Sequence, residues 1–327
     1  MQRTRGRRRQ RPGLIATTLL LLAGCAREPE SKAARVDSVA QPTPPPPPVT
    51  IDWRGWDQRA GGLLVVAPED DPNLAFLVRP DATRAELADS AWRDRIPGDS
   101  VVLIGLDGTS AVRALTPLPA SATGTSCEEW PAARVADAPP RWGVGFPVGR
   151  VRAVPATPVE RMSPADSSAA VSVAARIAQA TPQARKSGLS GMPFIVERLV
   201  RVSLSVATTD SAAQAFGDTT LIAATLFRRL AQEADPREER WFLLAERTGR
   251  ARNAPWMVRY LEFAEGAEDE ADALALLGVV RVEGTGRPAI VLARDGRSGL
   301  VLEWIAPTTG GDWRVQWTSA RARCRVE

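Results

Sequence analysis

The 327-residue chain contains no histidine, and its basic residues are 40 arginines with only Lys32 and Lys186 beside them. Without an imidazole, a Ser-His-Asp or Cys-His nucleophile pair, a histidine metal site and a switch titrating near neutral pH are all excluded. The serine blocks offer no substitute. Gly98-Asp99-Ser100 lacks a histidine base, Gly188-Leu189-Ser190-Gly191-Met192 lacks the glycine spacing of a nucleophile elbow, and no Ser-x-x-Lys occurs. Carboxylates are the one catalytic option that composition leaves, because glycoside hydrolysis needs only two acids at a fixed separation. The densest acidic run is Glu265-Gly266-Ala267-Glu268-Asp269-Glu270-Ala271-Asp272. Its acids are adjacent on an expected hairpin tip and splay apart, so it reads as a solvated loop. No catalytic pair, metal or cofactor is assigned.

The remaining reactive residues are three cysteines, Cys25, Cys127 and Cys324. Cys25 closes a segment with an arginine-rich start, the apolar run 14–22 and small residues at Ala23-Gly24, the three parts of a secretory signal. The run is about half the roughly 20 residues a bilayer-spanning helix needs. Leu22-Ala23-Gly24-Cys25 resembles the lipobox of bacterial lipoproteins at all four positions. The resemblance implies that the Cys25 thiol receives a diacylglycerol, that the leader 1–24 is cleaved before it, and that the new amino terminus is acylated. Arg7-Arg8-Arg9 is followed by Arg11 and Pro12 rather than the apolar residues of a twin-arginine signal, which favours the general secretion route. Ala26, in place of the Asp that retains some lipoproteins at the inner membrane, points to the outer membrane, facing the periplasm.

Charge agrees with a discarded leader. The formal net charge is +4, but residues 1–24 carry six arginines and no acid; the remainder has 36 basic and 38 acidic residues, a net of −2. No basic stripe with interleaved aromatics follows, so a nucleic-acid partner is not expected. The expected partners are the membrane, through the lipid, and an envelope protein or glycan.

Residues 25–50 contain five successive prolines, Pro44 to Pro48, which enforce an extended polyproline II spacer. The folded part is then 51–327, divided into a β-rich half (51–160) and an α+β half (161–327) ending in a β-meander. Apolar runs at 62–67, 74–78, 101–105, 142–146 and 148–154 read as strands, and 84–95 as a short helix. Ser163-Pro164-Ala165-Asp166 is a helix start, with Ser as cap and Pro in the first turn, for a helix running to about residue 180. Strands are expected at 194–206 and 240–245. Residues 220–233 are ambiguous: Ile222, Leu226 and Leu230 recur at helical spacing, yet a long strand fits as well. The meander covers 256–263, 273–282, 289–293, 299–305 and 312–317. The fold class expected is α+β, β-rich, with antiparallel strands in two halves and one or two helices between them.

Within the meander, residues 280–292 resemble one blade of the FG-GAP or VCBS type of β-propeller repeat. In that family the loop carries alternating aspartates around a glycine turn, as Ca²⁺ requires. Here Arg281, Thr285 and Ala289 stand at three acidic positions and only Glu283 keeps a carboxylate, so a structural hairpin without calcium is expected.

Cys127 and Cys324 form an even pair in an oxidising compartment, which reads as a disulfide. Ten tryptophans against one tyrosine raise two readings. Trp304, Trp313 and Trp317 either pack a core or form a recognition surface, and Trp313 and Trp317, of equal parity, are expected on one face. Together these features describe a non-catalytic, lipid-anchored envelope protein acting as a binding or structural module. The alternative is a carboxylate-dependent hydrolase of envelope glycans.

Overall fold

The computed structural model describes residues 55–68, 71–80, 100–118, 125–127, 130–204, 219–230, 236–249, 254–267, 270–285, 288–308 and 311–326. The leader, Cys25, the proline spacer and the expected helix at 84–95 lie outside them. Residues 49–327 group as one compact unit.

Six strands close a barrel in the order β1-β2-β6-β4-β3-β7: β1 (Leu64–Val66), β2 (Leu74–Val78), β3 (Ser100–Gly105), β4 (Ser110–Pro117), β6 (Ala132–Val135) and β7 (Trp142–Pro147). Strand alternation sends Val65, Ala75, Leu77, Leu103 and Leu115 inward, and Trp142, beyond the register shift between β3 and β7, joins them in filling the barrel as a packed core. The intervening residues, among them Leu64, Phe76 and Val144, point out against a second layer. That is why β2 is buried at all five positions and reads in the sequence as an unbroken apolar run.

The second layer is a five-stranded sheet in the order β17-β16-β15-β14-β8: β8 (Val151–Ala153), β14 (Ala273–Val282), β15 (Pro288–Gly296), β16 (Gly299–Pro307) and β17 (Trp313–Thr318). Ala289, Val291 and Ala293 face the barrel, while Ile290 and Leu292 face a third layer. Contact with the barrel is made backbone to backbone. A Cβ on Gly143 of β7 would come within 2.1 Å of the Leu277 carbonyl oxygen, at the bulge of β14 between Leu276 and Gly278. Only glycine allows that approach.

The third layer is β13-β12-β11-β10-β9: β9 (Ala156–Pro158), β10 (Ile195–Ser203), β11 (Thr219–Leu230), β12 (Arg237–Thr248) and β13 (Met257–Ala267). Its inner face packs Val202, Leu221, Phe242 and Leu244 against the second layer. Its outer face is covered by α1 (Pro164–Ala180) and α2 (Pro182–Lys186). The Ser163 hydroxyl caps α1 by accepting from the Asp166 amide at 3.2 Å and donates to the Asp166 carboxylate at 2.8 Å. Ala170, Ala174 and Ala178, four residues apart, give the helix a flat stripe that sits on Ile222, Ala224 and Leu243.

The α+β expectation with two halves is therefore corrected. Among the described residues there are eighteen strands and two α-helices, one of five residues, and the architecture is a barrel, two stacked sheets and a helical cover. Nor do the strands divide at the helices. β8 and β9 precede α1 yet pair with β14 and β10, in the second and third layers. Local patterns locate strands but not their partners. The ambiguous run at 220–233 is strand β11 over Thr219–Leu230. Residues spaced by four share one face of a strand as they do of a helix, so Ile222 and Leu226 lie together under the helices either way.

Candidate functional site

Beyond the apolar patch that α1 covers, the outer face of the third layer turns polar. Arg201 and Ser203 follow Leu199 on β10, Thr220 precedes Ile222 on β11, and Arg247 follows Ala245 on β12. Alternation thus places all four on the helix-facing side. Ser203 pairs with Thr220 and Thr220 with Arg247, one row across three strands. Thr157 of β9 pairs with Arg201 beside them. These residues form the floor of a cleft of about 480 Å³, and its opposite wall is the β3–β4 turn with Pro155 and Ala156. Pockets of roughly this size hold small ligands.

The turn is fixed by its own chemistry. Gly108 has φ +74°, and a Cβ there would meet the Val154 carbonyl oxygen at 2.6 Å, so the turn lies directly on the backbone leading into β9. Asp107 accepts from the Thr109 amide at 3.0 Å and from the Thr109 hydroxyl at 2.5 Å, and Arg161 reaches it at 2.7 Å. Burial pushes the Asp107 carboxyl up, but the Thr109 hydroxyl and amide, with Arg161, outweigh it and hold the group below the ordinary carboxylate range. Across the cleft the Arg247 guanidinium lies 4.8 Å from the Trp256 ring centroid.

The other end of the same sheet face is sealed. Arg228 and Glu239, cross-strand neighbours on β11 and β12, are both fully buried and paired at 2.7 Å. Arg228 donates to the Ala184 carbonyl of α2 at 2.9 Å and lies over Phe194 at 4.6 Å. Glu239 accepts from the Ser187 hydroxyl and, at 3.2 Å, from the Trp241 indole. Every carboxylate contact here is structural.

A third charged group gathers where the two sheets meet. Arg294 of β15 pairs with Glu262 of β13, with Glu303 of β16 at 3.3 Å and with Asp272 at 3.7 Å, and the Tyr260 hydroxyl donates to Glu262 at 2.7 Å. Burial pushes the Glu303 carboxyl up against the pull of Arg294, and burial with the Glu303 charge keeps the Tyr260 phenol protonated well into the alkaline range.

No protein-family model, curated protein or solved structure matches this chain.

Of the residues singled out in the sequence, Cys25 lies outside the described residues. Cys127 and Cys324 are Cα partners on the two-stranded ribbon of β5 (Thr125–Cys127) and β18 (Cys324–Val326). The three tryptophans do not form a recognition surface. Trp304, Trp313 and Trp317 are 2%, 3% and 3% exposed. Nor do Trp313 and Trp317 share a face: Trp317 packs with Trp56 toward the barrel, its ring centroid 4.9 Å away, and Trp313 lies between the sheets. The register shifts beside them, with Trp304 opposite Trp317 but Ile305 opposite Val315, and this bulge at Gln316 inverts the alternation. In the acidic run, Glu265 pairs with Arg237, Glu270 with Arg297 and Asp272 with Arg294. Glu268 and Asp269 lie outside the described residues. In the propeller-like stretch β14 and β15 form a hairpin that turns through Gly284 at φ +75°, and Glu283 pairs with Arg152 at 3.8 Å. Among the described residues no carboxylate or cysteine cluster is placed to hold a metal ion.

The cleft itself is missed by sequence reasoning. Its residues come from five elements spread from 107 to 247. The available signal is the switch from apolar to polar at every second residue as β10, β11 and β12 leave the helices.

Proposed function

We propose that this chain is a lipid-anchored lipoprotein of the bacterial envelope whose folded unit works as a non-catalytic binding module, with the cleft as its binding site. The observation that carries the binding role is the cleft's lining. It offers hydroxyls and guanidiniums, which hold a ligand, while Asp107 is engaged by Thr109 and Arg161 and is kept ionised, which suits neither a general acid nor a base at neutral pH. The anchor rests on the lipobox resemblance at Cys25, and the spacer of residues 26–50 holds the unit off an outer-membrane surface. A disulfide between Cys127 and Cys324 is supported by their register, since directly opposed antiparallel residues lie within the Cα span a disulfide bridges.

Growth with a palmitate analogue tests the anchor: the wild-type chain takes the label and Cys25→Ala does not, and a labelled Cys25→Ala protein overturns it. Thiol alkylation of the unfolded chain, with and without reductant, reads the state of Cys127 and Cys324.

The hydrolase reading keeps one observation in its favour, the desolvated Glu303 near Glu262 and Asp272. All three carboxylates share Arg294, which fits an ion-pair network better than an acid and a base held apart around a sugar. Release of reducing ends from envelope glycans by the wild type and its loss in Glu303→Gln would reinstate it.

A further inference from the structure

We propose that β13 pairs with β13 of a second copy of this chain, antiparallel and about a two-fold axis at Phe263, joining two third layers into one continuous sheet. This pairing stands apart from the anchor and from the cleft. Edges that invite another chain are long, flat and apolar, and natural sheets guard theirs with short strands, bulges, proline or lysine. Among the described residues, β8 and β9 are edges of three residues, with Pro158 in β9, and β17 is an edge of six residues that carries the bulge at Gln316. β13 runs for eleven residues without proline or lysine, and no described strand pairs with its outer side. None of its residues is buried, whereas Trp241 to Ala245 of β12 beside it all are. Its one bulge, at Arg259, leaves Tyr260 to Gly266 regular.

The order of side chains selects a second copy and fixes the register. Phe263 stacks on Trp241 with ring centroids 5.1 Å apart and is still 46% exposed. An axis at Phe263 sets the two copies of that ring side by side, in a row with Trp241 at either end. On the inner face it sets Glu262 opposite Ala264 of the second copy, with Arg240 next in that row on β12; carboxylate and guanidinium then face each other across a small residue, roughly 10 Å between Cα atoms by strand spacing. Two-fold symmetry repeats the arrangement on the other side of the axis. Both charges keep their partners within the chain, Arg240 with Glu238 and Glu262 with Arg294, so the contact extends a network. Moving the axis one residue back opposes Glu262 to itself, and moving it one residue forward sets Phe263 against Glu265.

Cysteine cross-linking of the full chain in expressing cells tests the pairing. Phe263→Cys meets its own copy on the axis, so a disulfide-linked species of twice the chain mass is expected, at least about tenfold above the wild type and above Met257→Cys, which the two-fold places far outside disulfide reach. Sedimentation of the purified wild-type chain in density-matched detergent should give a dimer. Phe263→Lys should be monomeric, because two ammonium groups meet at the axis while each lysine stem still covers Trp241, and Met257→Lys should remain a dimer. A wild-type chain that is monomeric at every concentration overturns the pairing, as do equal cross-linking at 257 and 263 or a cross-linked species whose mass shows a different protein. An unfolded Phe263→Lys chain leaves the decision to the cysteine comparison, which puts no charge on the axis. None of these outcomes bears on the labelling of Cys25 or on the cleft.

Discussion

Arginine occupies both ends of one sheet face and meets two different fates. At the Arg228 end, α2 and Phe194 close over the guanidinium, and every strong contact is made inside the protein. At the Arg201 and Arg247 end the helical cover stops and the face opens into a cleft. What distinguishes them is the cover. A buried guanidinium must be paired at once with a carboxylate, whereas one at an open cleft is reached by water and does not depend on a buried acid. The Arg294 group is intermediate, about a quarter exposed, with three carboxylates around one cation.

The contrast predicts a ranked set of effects. Glu239→Ala strands the buried Arg228 charge and is expected to cost about 3–5 kcal/mol in urea unfolding. A loss under about 1 kcal/mol would mean that water reaches Arg228 and that the two ends are alike. Replacing both partners, Arg228→Met with Glu239→Leu, should recover most of that loss, because the desolvation cost leaves with the charges. Smaller still is the effect at Glu303. Its folded carboxyl lies above its unfolded value, so the folded state holds a proton the unfolded chain has already released. Stability therefore declines as pH rises from about 4.3, the unfolded value, and levels off above the folded one. Glu303→Gln should flatten that decline in melting temperature against pH, and an unchanged profile would assign it elsewhere. Least of all, Arg201→Gln should alter stability by no more than about 0.5 kcal/mol, since an open guanidinium carries no fold. A larger loss would move Arg201 to the sealed class.

Legibility in the sequence followed the range of the interactions. The cap at Ser163, Pro164 and Asp166 is completed within four residues, so α1 was readable to its ends. Strands such as β2 and β15, buried on both faces, announce themselves as apolar runs. β4 and β6 did not: β4 mixes buried and exposed positions, and β6 is four residues long. Barrel closure, the β8–β14 and β9–β10 pairings and the cleft all depend on which distant segment comes alongside, and no local pattern encodes that. The bulge at Gln316 shows the limit within one element, since a single extra residue reversed the faces of Trp313 and Trp317.

The β5–β18 ribbon, in which residue 324 returns to residue 127, sets an order of events during biogenesis. A chain synthesised amino terminus first has its early strands formed while β10, β14 and β18 are still to emerge. β8 and β9 would wait for partners made much later, and β5 for β18. Such non-local pairing folds slowly and leaves unpaired edges exposed in the meantime. Removal of β18 should therefore harm folding yield more than it harms the finished fold.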